Sequence, residues 1–118
     1  MISLYYTSVV GVEIMEKLQS IEQYHEVIQG KCIMMFTADW CPDCHFVDPF
    51  IDEVVQQYSD YQFLSVDRDQ MMDLAVELEV MGIPSFIAFH NSKQVGRFVS
   101  GARKTREQIE AFIEQLPE

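Results

Sequence analysis

The sequence predicts one α/β domain in which a central mixed β-sheet is flanked by helices on both faces. Short apolar runs typical of buried strands alternate with segments of helical periodicity, and the last two strand-like runs are separated only by a turn. The length of 118 residues supports one domain with one core. The predicted order of elements is βαβαβαββα, and its terminal hairpin makes the sheet mixed rather than fully parallel.

Local signals define the elements on either side of the first helix. Residues 13–18 alternate weakly and predict a short strand. Ser20, followed three positions later by Gln23, resembles a capping box, so a helix is expected to begin there and to end at Gly30. The uninterrupted apolar run over residues 31–37 predicts a buried strand.

A second helix is predicted to begin at Cys41 or Pro42 and to reach Tyr58, because apolar side chains recur there at helical spacing. Pro49 should kink this helix, since proline lacks an amide hydrogen and its ring clashes with the preceding turn.

The second half alternates strands and helices until the hairpin. Residues 61–66 form an apolar strand, and Asp69 is expected to cap a helix that ends near Glu79. Residues 85–90 and 94–99 are strand-like and are joined by a polar turn, which predicts an antiparallel hairpin.

The last helix is marked by a second candidate capping box, Thr105 with Gln108. It is expected to end near Leu116, and its inward face is expected to carry Ile109, Phe112, Ile113 and Leu116.

Composition and charge restrict the class of function. The net charge of −11 argues against binding to nucleic acid or to an anionic membrane surface. No stretch is apolar enough to cross a bilayer, and the N-terminus is a poor secretory signal. Three cysteines do not make a disulfide framework, so a reducing compartment, the cytoplasm, is expected. Residues 1–14 are treated as an N-terminal extension with no assigned structure, and residues 15–118 as the domain.

The residues that carry chemistry are Trp40-Cys41-Pro42-Asp43-Cys44-His45, between a predicted strand and a predicted helix. Two thiols three positions apart on the first turn of a helix face the same way and can close a disulfide. Unpaired amides and the positive end of the helix dipole favour a thiolate there. The pattern therefore predicts a redox-active Cys41–Cys44 pair.

The alternative interpretation of this pair is a structural or metal-binding site. Tetrahedral zinc normally takes four ligands, and the remaining candidates, Cys32, His25, His45 and His90, have no paired spacing. Redox chemistry is therefore favoured, with no metal site. Cys32 lies in an apolar strand and is interpreted as a small buried hydrophobic residue.

Over residues 15–116 the chain resembles the thioredoxin family. The resemblance rests on Ala38-Asp39-Trp40-Cys41-Pro42-Asp43-Cys44, on Pro49, on Gly82-Ile83-Pro84-Ser85 and on Gly101 before the last helix. It implies the thioredoxin fold and a cis Ile83–Pro84 peptide facing the active disulfide. The backbone of that segment would then hydrogen-bond an extended substrate.

The sequence departs from the family pattern at two core positions. Family members usually place a buried aspartate where this chain has Met35, and its lysine partner corresponds to Phe63. That aspartate is held to relay the proton of the second cysteine. The candidates to replace it are Asp39, Asp43 and His45.

The resemblance implies thiol–disulfide exchange on protein substrates. Cys41 attacks the target disulfide, and Cys44 then attacks the Cys41 sulfur and releases the reduced target. Trp40 is interpreted as a wall beside the disulfide rather than a core aromatic, and Pro42, Asp43, Ile83 and Pro84 as active-site support. Each of two proton-transfer candidates also has a simpler alternative interpretation: Asp43 as a helix N-terminal acid and His45 as a solvated helix residue.

The expected function is therefore that of a protein-disulfide reductase, recycled by a thioredoxin reductase and needing no bound cofactor. A thioredoxin-fold adaptor with secondary redox activity is the alternative, suggested by the missing aspartate–lysine pair. The basic residues of the C-terminal region are interpreted as a solvated face; they are Lys93, Arg97, Arg103, Lys104 and Arg106.

Overall fold

A computed structural model describes residues 15–117, so the predicted extension over residues 1–14 lies outside the described residues. The strands are β1 Glu16–Lys17, β2 Cys32–Thr37, β3 Gln62–Asp67, β4 Ser85–His90 and β5 Lys93–Phe98. The helices are α1 Ile21–Val27, α2 Pro42–His45, α3 Asp48–Gln57, α4 Met72–Glu77 and α5 Arg106–Glu114. None of the helices between residues 15 and 117 is both long and apolar enough to cross a membrane.

The five strands form one mixed sheet in the order β1-β3-β2-β4-β5. β3 pairs in parallel with β1 and β2, whereas β4 is antiparallel to both β2 and β5. The hairpin turn uses Asn91 and Ser92 at φ 55° and 63°, the left-handed region that two-residue hairpin loops require. The predicted mixed sheet and terminal hairpin are confirmed.

Helices cover both faces of this sheet, because successive side chains of a strand point to opposite sides. Met34 and Phe36 of β2 pack on one face in a core shared with residues of α1 and α4. Ile33 and Met35 of the same strand pack on the other face with residues of α3 and α5. The predicted architecture, a central sheet between two helical layers, is therefore observed.

The long helix predicted after the cysteine motif is two helices. α2 ends at His45 and α3 begins at Asp48, with Pro49 in its first turn. Proline has no amide hydrogen to give to the carbonyl of His45, and its ring would clash there. In the first turn of a new helix the same residue loses nothing, because that amide has no intrahelical partner. The predicted kink at Pro49 is thus a break.

The prediction that Asp69 caps the third helix is wrong. α4 begins at Met72 with no side-chain cap. The carboxylate of Asp67, at the end of β3, instead accepts hydrogen bonds from the amides of Asp69 and Gln70, at 2.9 and 3.1 Å. The side chain of Asp69 instead accepts a hydrogen bond from the Trp40 indole.

The two predicted capping boxes have different outcomes. Thr105 and Gln108 form the reciprocal pair at the start of α5, as predicted. At α1, the Ser20 hydroxyl accepts from the Gln23 amide at 3.1 Å. The Gln23 side chain, however, accepts from the amide of Gln19 rather than from that of Ser20, so only half of that box is present.

Candidate active site

The two active-site candidate thiols lie at the start of α2, directly after the end of the central strand β2. Cys41 is the N-cap residue, and Pro42 follows at the first helical position, where its fixed φ suits a helix. The Cys44 amide donates a hydrogen bond of 3.2 Å to the Cys41 sulfur. An amide directed at sulfur stabilises negative charge that develops on it in a reaction, so the backbone at the start of α2 is placed to assist Cys41 as a nucleophile.

Cys44 lies deeper in the protein than Cys41. The two residues are 2% and 5% exposed, respectively, and both are free thiols. Burial raises the pKa of the Cys44 thiol to about 11, and its contact with Cys41 acts in the same direction. Hydrogen bonds with Thr37 and Ala38 oppose this effect. Cys44 is therefore a protonated, shielded thiol in the dithiol state.

The segment before β4 faces this pair. The Cys41 sulfur lies 3.9 Å from the Ile83 carbonyl oxygen, within reach of a weak S–H···O contact. The Ile83–Pro84 peptide is cis, which confirms the expectation drawn from the resemblance. Ile83 and Pro84 are both buried, so the Ile83 carbonyl oxygen faces the Cys41 thiol from a buried backbone segment.

Trp40 is 59% exposed and is not a core residue. Its indole nitrogen donates a hydrogen bond of 2.7 Å to the carboxylate of Asp69. The Arg68 guanidinium lies over the indole ring, 5.1 Å from the centroid. Two neighbours in the β3–α4 loop therefore hold an exposed aromatic side chain beside Cys41, as the interpretation of Trp40 as a wall requires.

Asp43 is half-buried between the two cysteines and pairs with a distant basic residue. Its carboxylate accepts a hydrogen bond of 3.0 Å from the Nε of Arg103, which lies between β5 and α5. The Arg103 guanidinium also lies 4.4 Å from the centroid of the Phe46 ring. A carboxylate beside the thiols would disfavour thiolates, and this ion pair offsets part of that effect.

His45 links the two ends of the motif. Its Nε2 lies 2.7 Å from the carbonyl oxygen of Asp39, and its Nδ1 lies 3.0 Å from the Asp48 carboxylate. The hydrogen bond with Asp39 is the largest cause of a raised pKa at His45, followed by that with Asp48. Asp39 thus contributes a backbone carbonyl here, and its exposed side chain is not involved in these contacts.

Met35 and Phe63 are both 4% exposed, so no charge lies at either of these core positions. Among residues 15–117, the charged side chain that is buried lies elsewhere. Lys104, expected on a solvated face, is only 1% exposed, and that interpretation of Lys104 is wrong. Arg103, in its pair with Asp43, is not simply solvated either. Nothing local in the sequence distinguishes Lys104 from a surface lysine.

The metal alternative finds no cluster to support it within residues 15–117. No group of three or more His, Cys, Asp or Glu side chains is arranged there to hold a metal ion. Cys32 is fully buried, and burial raises the pKa of its thiol to about 12, consistent with its interpretation as a hydrophobic residue.

Comparisons with family models, with individual proteins and with solved structures all find thioredoxins. A family model described as thioredoxin matches residues 15–115. Thioredoxins from Bos taurus and Homo sapiens are each 40% identical over 84 residues, covering 71% of this chain and 77% of those proteins. Thioredoxin from Rattus norvegicus is 32% identical over 106 residues, covering 89% of this chain and 98% of that protein.

Solved thioredoxin structures share the fold. The thioredoxin from Malassezia sympodialis superposes with a TM-score of 0.77 at 22% identity, covering 92% of this chain and 95% of the other. That from Nicotiana alata gives 0.76 at 23% identity, covering 90% and 95%. Since the family model spans nearly all of the described domain and the relatives reach 40% identity, the chain belongs to the thioredoxin family and is a thiol–disulfide oxidoreductase.

Proposed function

We propose that the chain reduces disulfide bonds of target proteins in the cytoplasm through the Cys41–Cys44 dithiol, and that a thioredoxin reductase recycles it. The observation that carries this proposal is the contrast between the two sulfurs. Cys41 receives an amide hydrogen bond at 3.2 Å, whereas burial keeps Cys44 protonated. Cys41 is thus the attacking thiol, and Cys44 is the thiol that reacts second.

The exchange proceeds in two steps. The Cys41 thiolate attacks one sulfur of the target, forming a mixed disulfide and expelling the other target sulfur as a thiolate. Cys44 then loses its proton and attacks the Cys41 sulfur, which closes the Cys41–Cys44 disulfide and releases the second target sulfur. The target gains two electrons, and the protons reach its thiolates through solvent. Both electrons come from the dithiol, so no bound cofactor is required.

The surroundings of Cys41 suit an extended polypeptide substrate. The Ile83 carbonyl faces the Cys41 thiol, and the indole of Trp40, the residue before Cys41, is anchored to Asp69. Pro42, the residue after Cys41, is exposed at the start of α2. We infer that a target segment lies across this surface with its disulfide at Cys41.

Single cysteine variants test the assignment of the two roles. Reduction of a disulfide-bonded protein such as insulin, with dithiothreitol as electron source, is expected to fall to background in Cys41→Ser. Cys44→Ser, reduced and then freed of dithiothreitol before it is mixed with the target, should instead accumulate a mixed disulfide detectable by mass spectrometry. Cys32→Ala is the matched control and should retain activity. Full activity in Cys41→Ser would contradict the proposal.

The direction of electron flow is tested by redox titration at pH 7. Trp40 is the only tryptophan in the sequence, so its fluorescence reports the Cys41–Cys44 couple. A midpoint of about −270 mV, the value known for thioredoxin itself, supports a reductase. A midpoint of about −120 mV, typical of strong oxidants, would overturn the reducing direction.

An adaptor function is the second candidate, and exposed apolar side chains near the thiols favour it. Met81 is 87% exposed and lies two residues before Ile83, and Trp40 is also mostly exposed. The Cys41→Ser/Cys44→Ser double variant separates the candidates. Partner binding that survives both substitutions supports an adaptor, whereas loss of binding supports redox-dependent capture alone.

A further inference from the structure

Lys104 is a buried cation that the exchange steps above do not use. It lies in the loop between β5 and α5, immediately before the N-cap residue Thr105. Its Nζ donates to the Ser100 carbonyl oxygen at 3.1 Å, the Ser100 hydroxyl at 3.1 Å and the Ala102 carbonyl oxygen at 2.9 Å. An ammonium has three hydrogens to donate and a neutral amine only two. We call these three acceptors the oxygen cage of Lys104; it fits the charged form.

This ammonium has no carboxylate partner at ion-pair distance among the side chains of residues 15–117. Arg103, on the same loop, and Arg106, the first residue of α5, each pair with acidic side chains. A buried charge is costly unless an opposite charge or a set of dipoles compensates for it. The oxygen cage supplies dipoles only, so the positive field of Lys104 is not cancelled by a neighbouring anion.

The loop that carries Lys104 contacts the segments on either side of the thiols. Arg103, the residue before Lys104, donates a hydrogen bond of 3.0 Å to the Asp43 carboxylate in α2. Ser100, which supplies two acceptors of the oxygen cage, lies against Gly82, the residue before Ile83, whose carbonyl oxygen lies 3.9 Å from the Cys41 sulfur. The charge of Lys104 is therefore held on a loop that packs against both segments around the thiols.

The acidic groups that face Lys104 come from the α2 turn. Burial lowers the pKa of Lys104, while Cys44, Asp43 and Cys41 act in the opposite direction, with Cys44 the largest of the three. Asp43 already has a partner in Arg103. The groups of this turn that lack a cationic partner, and that must become negative during exchange, are the two thiols.

We propose that the Lys104 ammonium stabilises the thiolate forms of Cys41 and Cys44, above all the transient Cys44 thiolate that resolves the mixed disulfide. This proposal rests on the proposed roles of the two cysteines. Lys104 is a positioning residue: it acts on the thiols through its charge and gives up no proton. The charged group that assists Cys44 is then the Lys104 cation on a loop rather than a carboxylate on β2. Asp39 and His45 are not needed for this stabilisation.

A probe that reports each thiol separately tests this proposal. Reduced protein attacks the disulfide of 5,5′-dithiobis(2-nitrobenzoate); Cys41 forms a mixed disulfide and expels one coloured thiolate. Cys44 then closes the Cys41–Cys44 disulfide and expels the second. Two phases in the native chain, and only the first in Cys44→Ser, establish the roles of the cysteines independently of Lys104. A chain without these phases would contradict the proposed function itself.

The variant is Lys104→Met, which removes the charge and keeps an apolar stem. An opposite charge near a group shifts its pKa by about 1–3 units, and we expect the lower end because cage dipoles share the field. The second phase should therefore slow about tenfold at pH 7, and its pH profile should move up by about one unit. Lys93→Met is the matched control, because Lys93 is exposed at the start of β5 and makes the same change in net charge.

Lys104→Gln guards against a packing artefact, since its amide can donate two hydrogen bonds to the same oxygens without a charge. Both variants should show the same shift in pH profile, with a reduction potential more negative than that of the native chain. If either variant is folded by circular dichroism and its second-phase pH profile coincides with that of Lys93→Met, the proposal is wrong.

Discussion

Gly82 lies at a close backbone contact between its own loop and the loop of Ser100 and Gly101, and Gly82→Ala is the substitution expected to disturb it. A Cβ built on Gly82 would lie 2.5 Å from the Gly101 nitrogen and 2.6 Å from the Ser100 carbonyl carbon. Gly82 immediately precedes Ile83, whose carbonyl faces Cys41. Ser100 supplies two acceptors of the oxygen cage of Lys104. The methyl group added by Gly82→Ala would therefore push apart two segments that both support the thiols.

The contact distance determines the size of the effect. To reach the ordinary separation of 3.4 Å, the two loops must move apart by about 0.9 Å. Overpacking typically costs about 1–3 kcal/mol, and we expect about 2–3 kcal/mol because backbone atoms cannot rotate away as a side chain can. In a domain of this size, about 1 kcal/mol lowers Tm by about 4 °C, so Tm should fall by about 8–12 °C.

Urea denaturation followed by Trp40 fluorescence measures this effect, with Gly30→Ala as the matched control. A Cβ on Gly30 meets nothing within 4 Å, so that variant should stay within about 0.5 kcal/mol of the native chain or gain stability. Gly82→Ala should also slow both phases of the thiol assay. An unfolding free energy for Gly82→Ala equal to that of Gly30→Ala would refute the reasoning, because the loops would then have separated without cost.

Three further predictions concern the polar contacts of the motif. Arg103→Ala leaves the Asp43 carboxylate unpaired beside the thiols and should slow the alkylation of Cys41 at pH 7, whereas Lys93→Ala should not. His45 has a raised pKa in the folded chain, because of its hydrogen bonds with Asp39 and then Asp48. Its stabilising contribution should be fully present below about pH 6.5 and disappear as pH rises through the folded value; urea denaturation of His45→Gln at pH 5.5 and 8.5 should differ from the native chain only at the lower pH. Asp69→Ala removes the acceptor of the Trp40 indole and should lower its fluorescence anisotropy, while an unchanged anisotropy would show that Arg68 alone holds the ring.

Elements that depend on neighbouring residues were predictable from the sequence. The apolar run of β2 predicts a buried strand because every side chain there is covered on one face of the sheet or the other. The Thr105–Gln108 capping box involves only groups within one helical turn. The placement of Cys41 at the start of a helix, with Cys44 one turn later, follows from the same local geometry. The cis Ile83–Pro84 peptide came from family resemblance, not from local physics.

The tertiary structure alone decided which polar groups serve the site. Asp69 reads as a helix cap within its own segment, yet its carboxylate binds Trp40, 29 positions earlier. Arg103 reaches Asp43 across 60 positions. Lys104 is buried because β5 and α5 bring its loop against the sheet, and no pattern along the chain encodes that approach. The sequence by itself determined the elements and the reactive pair, since these depend on short-range periodicity and capping. The electrostatic surroundings of the thiols depend on contacts between distant segments, and only the folded chain defines them.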